Sequence, residues 1–192
     1  MKIMPCAEWD ARPINNLVLP RTHAQGIVIH HTATPNVRPV WPATLEVWRC
    51  RRLARAIQRD HIQGNGWRDS GHHFLVTRSG HVLEGRNGSF LAAQRGVVIQ
   101  GAHAGDANVN KDHWGIEMEG TYTSKLPSSR QLAALVDLCA HLCLWGDVQS
   151  AQIYGHRKYR PTECPGERLF DYLPILQWRV HERKAQLMGD NR

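Results

Sequence analysis

The sequence predicts an α/β fold built as one domain. Short apolar, β-branched runs at 26–30, 73–77, 81–84, 115–120 and 151–156 alternate with two long stretches of helical period, the pattern of a sheet and helices sharing a core. The 192 residues suit one domain of about 150 residues with a terminal extension. Hydrophobic residues make up 42% and charged ones 21%, near the globular averages of about 45–50% and about 25%, which excludes wholesale disorder.

Residues 1–25 carry Pro5, Pro13 and Pro20 and read as an irregular lead-in, with the main domain over 26–180 and the end of a C-terminal helix over 181–192. Gly26 to His30 is a buried strand that runs into the polar stretch His31-Thr32-Ala33-Thr34. Over 44–61 the period becomes helical: Val47, Cys50, Ala54, Ile57 and His61 share one face, Thr44 is the expected N-cap and Gly64 the stop. Arg49, Arg52, Arg55 and Arg59 form a one-signed stripe on the other face, read as a solvated surface or a docking face. The runs 73–77 and 81–84 flank Arg78-Ser79-Gly80 as a hairpin. Residues 85–113 lack a sustained period and are expected to be loop with one short strand. In 115–120 strict alternation sets Ile116 and Met118 on one face and Glu117 and Glu119 on the other.

A second helix is expected from Ser128, with Gln131 reaching back in a capping box and Gly146 as the stop. Its apolar stripe takes in Cys139 and Cys143, which read as core residues. Ala151 to His156 is a last short strand, and a C-terminal helix begins near Pro174.

The net charge is +7, and 19 of the 24 basic residues are arginine, a fork-shaped cation suited to anionic polymers. No nucleic-acid recognition motif or interleaved aromatic platform accompanies it, so nucleic acid is not an expected partner. No run approaches the roughly 20 apolar residues of a membrane span, and the first residues lack the apolar stretch of a signal peptide. Five cysteines in a chain this long point to free thiols rather than a disulfide framework.

Three elements end in metal-type side chains: His30 after the first strand, His156 after the last, and Cys164 in a loop bracketed by prolines. Neutral imidazole and thiolate are preferred zinc ligands, and three protein ligands with one open position define a catalytic site. Two adjacent parallel strands would bring the histidines together. Spacing alone leaves open that these are hydrogen-bonded histidines and an ordinary thiol.

The words around them are more specific. Trp9-Asp10-Ala11-Arg12-Pro13, Ile27-Val28-Ile29-His30-His31-Thr32-Ala33, Gly71-His72-His73-Phe74-Leu75-Val76 through Gly85-Arg86, His103-Ala104-Gly105, Trp114-Gly115-Ile116-Glu117-Met118-Glu119-Gly120, and Gly155-His156-Arg157 through Thr162-Glu163-Cys164-Pro165-Gly166 follow in one order. Together, over about residues 8 to 180, they resemble the type 2 N-acetylmuramoyl-L-alanine amidases, which include phage lysozymes, peptidoglycan recognition proteins and AmpD-type recycling amidases.

The resemblance implies a central mixed β-sheet flanked by helices, with a substrate groove over one end and one Zn2+ held by His30, His156 and Cys164. The implied reaction is hydrolysis of the amide between N-acetylmuramic acid and the L-alanine of the stem peptide in bacterial peptidoglycan. Phage and recognition-protein amidases carry Tyr where this chain has His72, whereas AmpD-type enzymes use a Glu that Glu117 matches. Glu117 is therefore the expected proton shuttle and His72 the second candidate. Thr162 stands two before the third ligand and is expected to orient water or stabilise the oxyanion. His31, Arg86, His103 and Asn108 are the expected substrate contacts. Trp67 and Trp114 flank motifs and are either stacking platforms or packing.

The expected protein is thus a monomeric zinc amidase, most similar in setting to a phage endolysin made in the cytoplasm and released by a holin-type route. Its surface arginines would touch anionic envelope polymers. The rivals are an AmpD-like recycling amidase, a non-catalytic peptidoglycan-binding protein, and a thiol hydrolase using Cys164 as nucleophile with His156 as base.

Overall fold

A computed structural model describes residues 1–14 and 21–190. In chain order its strands are β1 (Ile3–Met4), β2 (Arg21–His23), β3 (Gly26–His31), β4 (Phe74–Val76), β5 (Val82–Glu84), β6 (Val97–Ile99), β7 (His113–Met118) and β8 (Ile153–Gly155). The helices are α1 (Ala43–Gln63), α2 (Ser89–Ala93), α3 (Ala107–Asp112), α4 (Ser129–Trp145), α5 (Glu167–Asp171) and α6 (Leu173–Gly189). Six strands form one mixed sheet in the order β1-β5-β4-β7-β3-β8, with only the β4–β5 hairpin antiparallel, while β2 and β6 form a separate two-stranded ribbon.

Strand alternation gives the sheet two buried faces. Ile27, Ile29, Phe74, Val76, Ile116 and Met118 pack with Leu135, Cys139 and Leu142 of α4 and Leu176 and Val180 of α6. On the opposite face Leu75 and Leu83 pack with Met4, Cys6, Trp9 and, from α1, Cys50 and Ala54. The sheet is therefore a middle layer between helices, as expected of the α/β class. His30 and Glu117 occupy a paired register position, and Leu75 pairs with Glu117, so both side chains rise on the α1 face.

Several local expectations are corrected. The lead-in is not irregular throughout: β1 joins the edge of the main sheet, a 3-10 turn covers Cys6–Trp9, and Trp9 is fully buried with its indole N–H donating to the Glu84 carbonyl at 2.9 Å. Pro20 lies outside the described residues. Residues 85–113 contain β6 but also α2 and α3, each of only five or six residues, too short to show a period. Helix α1 begins before Thr44, with Pro42 as its N-cap. Ser128 does cap α4, accepting from the Gln131 amide at 3.2 Å, but the Gln131 side chain turns inward to the Tyr122 hydroxyl and the Val76 and Glu119 carbonyls instead of closing a box. Satisfying those buried groups outweighs one cap bond. Pro174 stands in the first turn of α6, as expected.

The arginine stripe is also divided. Arg49 is drawn out of it to bridge two buried carboxylates, with Nη2 donating to Glu46 Oε1 at 2.7 Å and to Glu119 Oε2 at 3.0 Å, and Arg55 pairs with Asp10 at 2.8 Å. Arg52 stacks on Trp48. Only Arg52 and Arg59 of the four are exposed. Arg49→Met is expected to destabilise the domain by about 3 kcal/mol, because it strands Glu46 and Glu119 without a cation. Urea denaturation checks this, and a loss below about 1 kcal/mol would give the bridge no more weight than a surface pair.

Candidate active site

Strands β3 and β8 are parallel neighbours with Ile29 opposite Gly155, so the next residues, His30 and His156, leave the sheet side by side. Their ring centroids lie 4.4 Å apart. The chain then loops through Thr162 and returns Cys164 to the same point. That loop is held by the Cys164 amide on Thr162 Oγ1 at 3.2 Å, the Arg157 amide on the Cys164 carbonyl at 3.2 Å, and the His31 amide donating to Cys164 Sγ at 3.4 Å. Gly166 closes it in the left-handed region at φ +92°, where a Cβ would collide with the Tyr122 carbonyl carbon.

One donor atom from each of His30, His156 and Cys164 lies within 4.8 Å of the others, and Cys164 Sγ stands 3.7 Å from His30 Nδ1. Zinc bonds of about 2.0–2.3 Å in tetrahedral geometry set donors about 3.4–3.6 Å apart, so the trio needs only a small contraction to hold one ion. Burial, with neighbouring histidines adding to it, pushes the pKa of His30 well below its ordinary value, and burial lowers that of His156 too. Both imidazoles are thus neutral donors. Burial raises the Cys164 thiol to about 12, so its thiolate needs a cation beside it. The donor set fits zinc.

Across the site His72 Nδ1 lies 2.5 Å from Glu117 Oε2. Burial alone would raise the Glu117 pKa, but the facing His72 imidazole, with His61 and His31 adding to it, outweighs burial and the carboxyl stays below its usual value. His61, which the helical period sets on one face of α1 with Val47, Cys50, Ala54 and Ile57, lines the cleft with Trp67, accepts the Gly71 amide at Nδ1 and packs 5.7 Å from the His72 ring. No chemical motif marks it in the sequence.

These groups line a cleft of 490 Å³ that takes in His30, His31, His72, Glu117, Thr162 and Cys164. The other expected substrate contacts separate. Arg86 is 3% exposed and does not line the cleft; burial lowers its pKa, with the Asp69 carboxylate opposing that. Asn108 is exposed in the first turn of α3, away from the cleft, because Asp106 takes its amide to cap the helix. His103 reaches the cleft wall but is 9% exposed, with its ring turned onto His30. Trp114 is fully buried core. Glu119 is the acceptor for Arg49 and for the Arg78 amide, not a cleft residue.

The sequence profile of the N-acetylmuramoyl-L-alanine amidases matches residues 20–167, which is most of the chain. The chain belongs to the N-acetylmuramoyl-L-alanine amidase family. This amidase-family chain is 33% identical over 190 residues to the N-acetylmuramoyl-L-alanine amidase of Sus scrofa, an alignment covering 96% of the chain but 29% of the pig protein. It is 32% identical over 170 residues to peptidoglycan-recognition protein SC2 of Drosophila simulans, covering 88% and 83% of the two. Among solved structures it is similar to peptidoglycan recognition protein LE in complex with tracheal cytotoxin, a monomeric diaminopimelic acid-type peptidoglycan. That match has a TM-score of 0.69 at 27% identity and covers 90% of this chain and 92% of the other. Amidases and recognition proteins thus share this fold, and the site's donor chemistry bears on which kind of member the chain is.

Proposed function

We propose that the chain is a zinc-dependent N-acetylmuramoyl-L-alanine amidase, cutting the amide between N-acetylmuramic acid and L-alanine in bacterial peptidoglycan. The observation that carries the reading is the convergence of His30, His156 and Cys164 opposite the Glu117–His72 pair in one open cleft. A pure sensor needs no such donor set. When bound, zinc supplies Lewis-acid polarisation of the scissile carbonyl and acidification of water towards a pKa of about 7. Glu117 takes the proton from the attacking water and returns it to the leaving amine, and His72 holds the carboxylate ionised and oriented. Thr162, at the cleft wall, offers a hydroxyl to the developing oxyanion. Residues 26–180 carry this chemistry, with β1 and Trp9 completing the domain.

The setting we favour is lytic action on intact wall, as in a phage endolysin working as a monomer after release from the cytoplasm. Exposed arginines such as Arg52 and Arg59 would hold it to anionic envelope polymer. No helix among the described residues is long and apolar enough to cross a membrane.

The decisive experiment digests intact sacculi and follows newly freed L-alanine amines by mass spectrometry. Chelation is expected to abolish the activity and added zinc to restore it. Activity that survives thorough chelation but is lost to iodoacetamide would sink the zinc reading in favour of the thiol hydrolase. Activity confined to small soluble muropeptides would assign the recycling role instead.

A further inference from the structure

A histidine can serve as a ligand only through the nitrogen that carries no proton, so something must set which nitrogen that is. Around this site the setting is done by one dipeptide, His103-Ala104. His103 Nε2 lies 3.2 Å from the His113 carbonyl, which can only accept, so the proton of His103 is on Nε2 and its Nδ1 is an acceptor. That Nδ1 lies 3.0 Å from His30 Nε2, which must therefore be the donor. His30 is left with a bare Nδ1, the atom 3.7 Å from Cys164 Sγ. The next residue does the same for the other histidine: the Ala104 carbonyl accepts from His156 Nε2 at 3.2 Å, which frees His156 Nδ1.

The dipeptide is itself held from below. Asn110 Oδ1 accepts both the His103 and the Ala104 amides, at 2.8 and 2.9 Å, and the Asn110 carbonyl accepts the Gly101 amide at 2.7 Å. The His103 ring lies in a slot that exists because two residues lack side chains. A Cβ on Gly115 would stand 2.5 Å from its Cγ, and one on Gly101 would stand 2.8 Å from its Cδ2. A ring packed this closely by backbone, with both nitrogens spoken for, has one orientation.

We infer that His103-Ala104, clamped by Asn110, is a tautomer-setting unit that presents the Nδ1 lone pairs of both His30 and His156 to the metal. His103 and Asn110 are thus positioning residues rather than substrate contacts. The inference rests on the zinc reading for its consequence, but the tautomers are a property of the metal-free protein.

Two pairs of variants test it. His103→Leu and Asn110→Leu remove the acceptors, whereas His103→Asn puts an amide oxygen near the position of Nδ1 and Asn110→Asp keeps an acceptor for both amides. Long-range proton–nitrogen NMR of the metal-free protein is expected to show His30 and His156 as Nε2–H tautomers in the parent and in the two rescuing variants. A mixed tautomer is expected at His30 in His103→Leu, and at both histidines in Asn110→Leu. Zinc affinity, measured by chelator competition, is expected to fall about 10–100-fold in the leucine variants and to stay within about threefold of the parent in the other two. Unchanged tautomers in the leucine variants, or equal loss of affinity in His103→Asn and His103→Leu, would overturn the inference and leave His103 a packing residue. A parent protein with the stated tautomers but no zinc affinity would count against the zinc reading alone.

Discussion

Replacing His30 with alanine is expected to remove zinc and amide hydrolysis together while leaving the fold in place. His30 contributes one of three donors, and the two that remain, His156 and Cys164, sit on one loop connection and cannot enclose an ion. Lewis-acid catalysis is worth several kcal/mol, and each 1.36 kcal/mol is tenfold in rate, so a loss of about 10³-fold or more is the expected scale. The fold should survive because the packing residues of β3, Ile27 and Ile29, point to the opposite face of the sheet, into the core shared with α4 and α6. The measurements are metal content, release of L-alanine amines, and the circular dichroism and melting curve of the variant. A thiol hydrolase would retain its Cys164 nucleophile and His156 base in this variant. Unchanged hydrolysis by His30→Ala would therefore refute the assigned metal site, and loss of hydrolysis with full metal content would refute the link between them.

What could be read from the amino acids is the part of the site that lies on regular structure. His30 and His156 end strands that announce themselves by β-branched runs, and adjacency of those strands is enough to pair them. Glu117 is exposed by alternation with Ile116 and Met118, because a strand has a period of two and the core claims the other parity. The residues that read otherwise, or carry no reading at all, depend on packing contacts that no sequence period encodes. His103 lies in an aperiodic loop, and its orientation is decided by missing side chains at Gly101 and Gly115, on either side of it in sequence. Asn110 works through its side-chain oxygen and the backbone of residues seven and six positions earlier. Arg49 looked like surface because its helical face is arginine-rich, yet Glu119 is buried at the end of β7 and needs a cation. Trp9 and β1 were hidden by surrounding prolines. At Arg49 and Asn110 it is a buried polar group and its partner, not the local pattern, that decides the outcome.

Glu117→Gln is expected to lower the rate by about 10²–10⁴-fold without changing zinc content or peptidoglycan affinity, because glutamine keeps the shape of the side chain but cannot carry the proton. His72→Phe separates the two members of the pair. Phenylalanine preserves the ring in a position that is 3% exposed but removes the imidazole nitrogen that lies 2.5 Å from the carboxylate. Burial pushes the Glu117 pKa up and His72 pulls it down, so with His72 gone the folded-state pKa must rise. The deprotonated base is then reached only at higher pH, and the acid limb of the rate profile should move upward while the plateau at high pH recovers. A shuttle that resided on His72 itself would give the opposite pattern: His72→Phe would cost as much as Glu117→Gln at every pH, with no recovery on the alkaline side. The pH profiles of these two variants, taken with zinc content held equal, assign the proton transfer to one residue or the other.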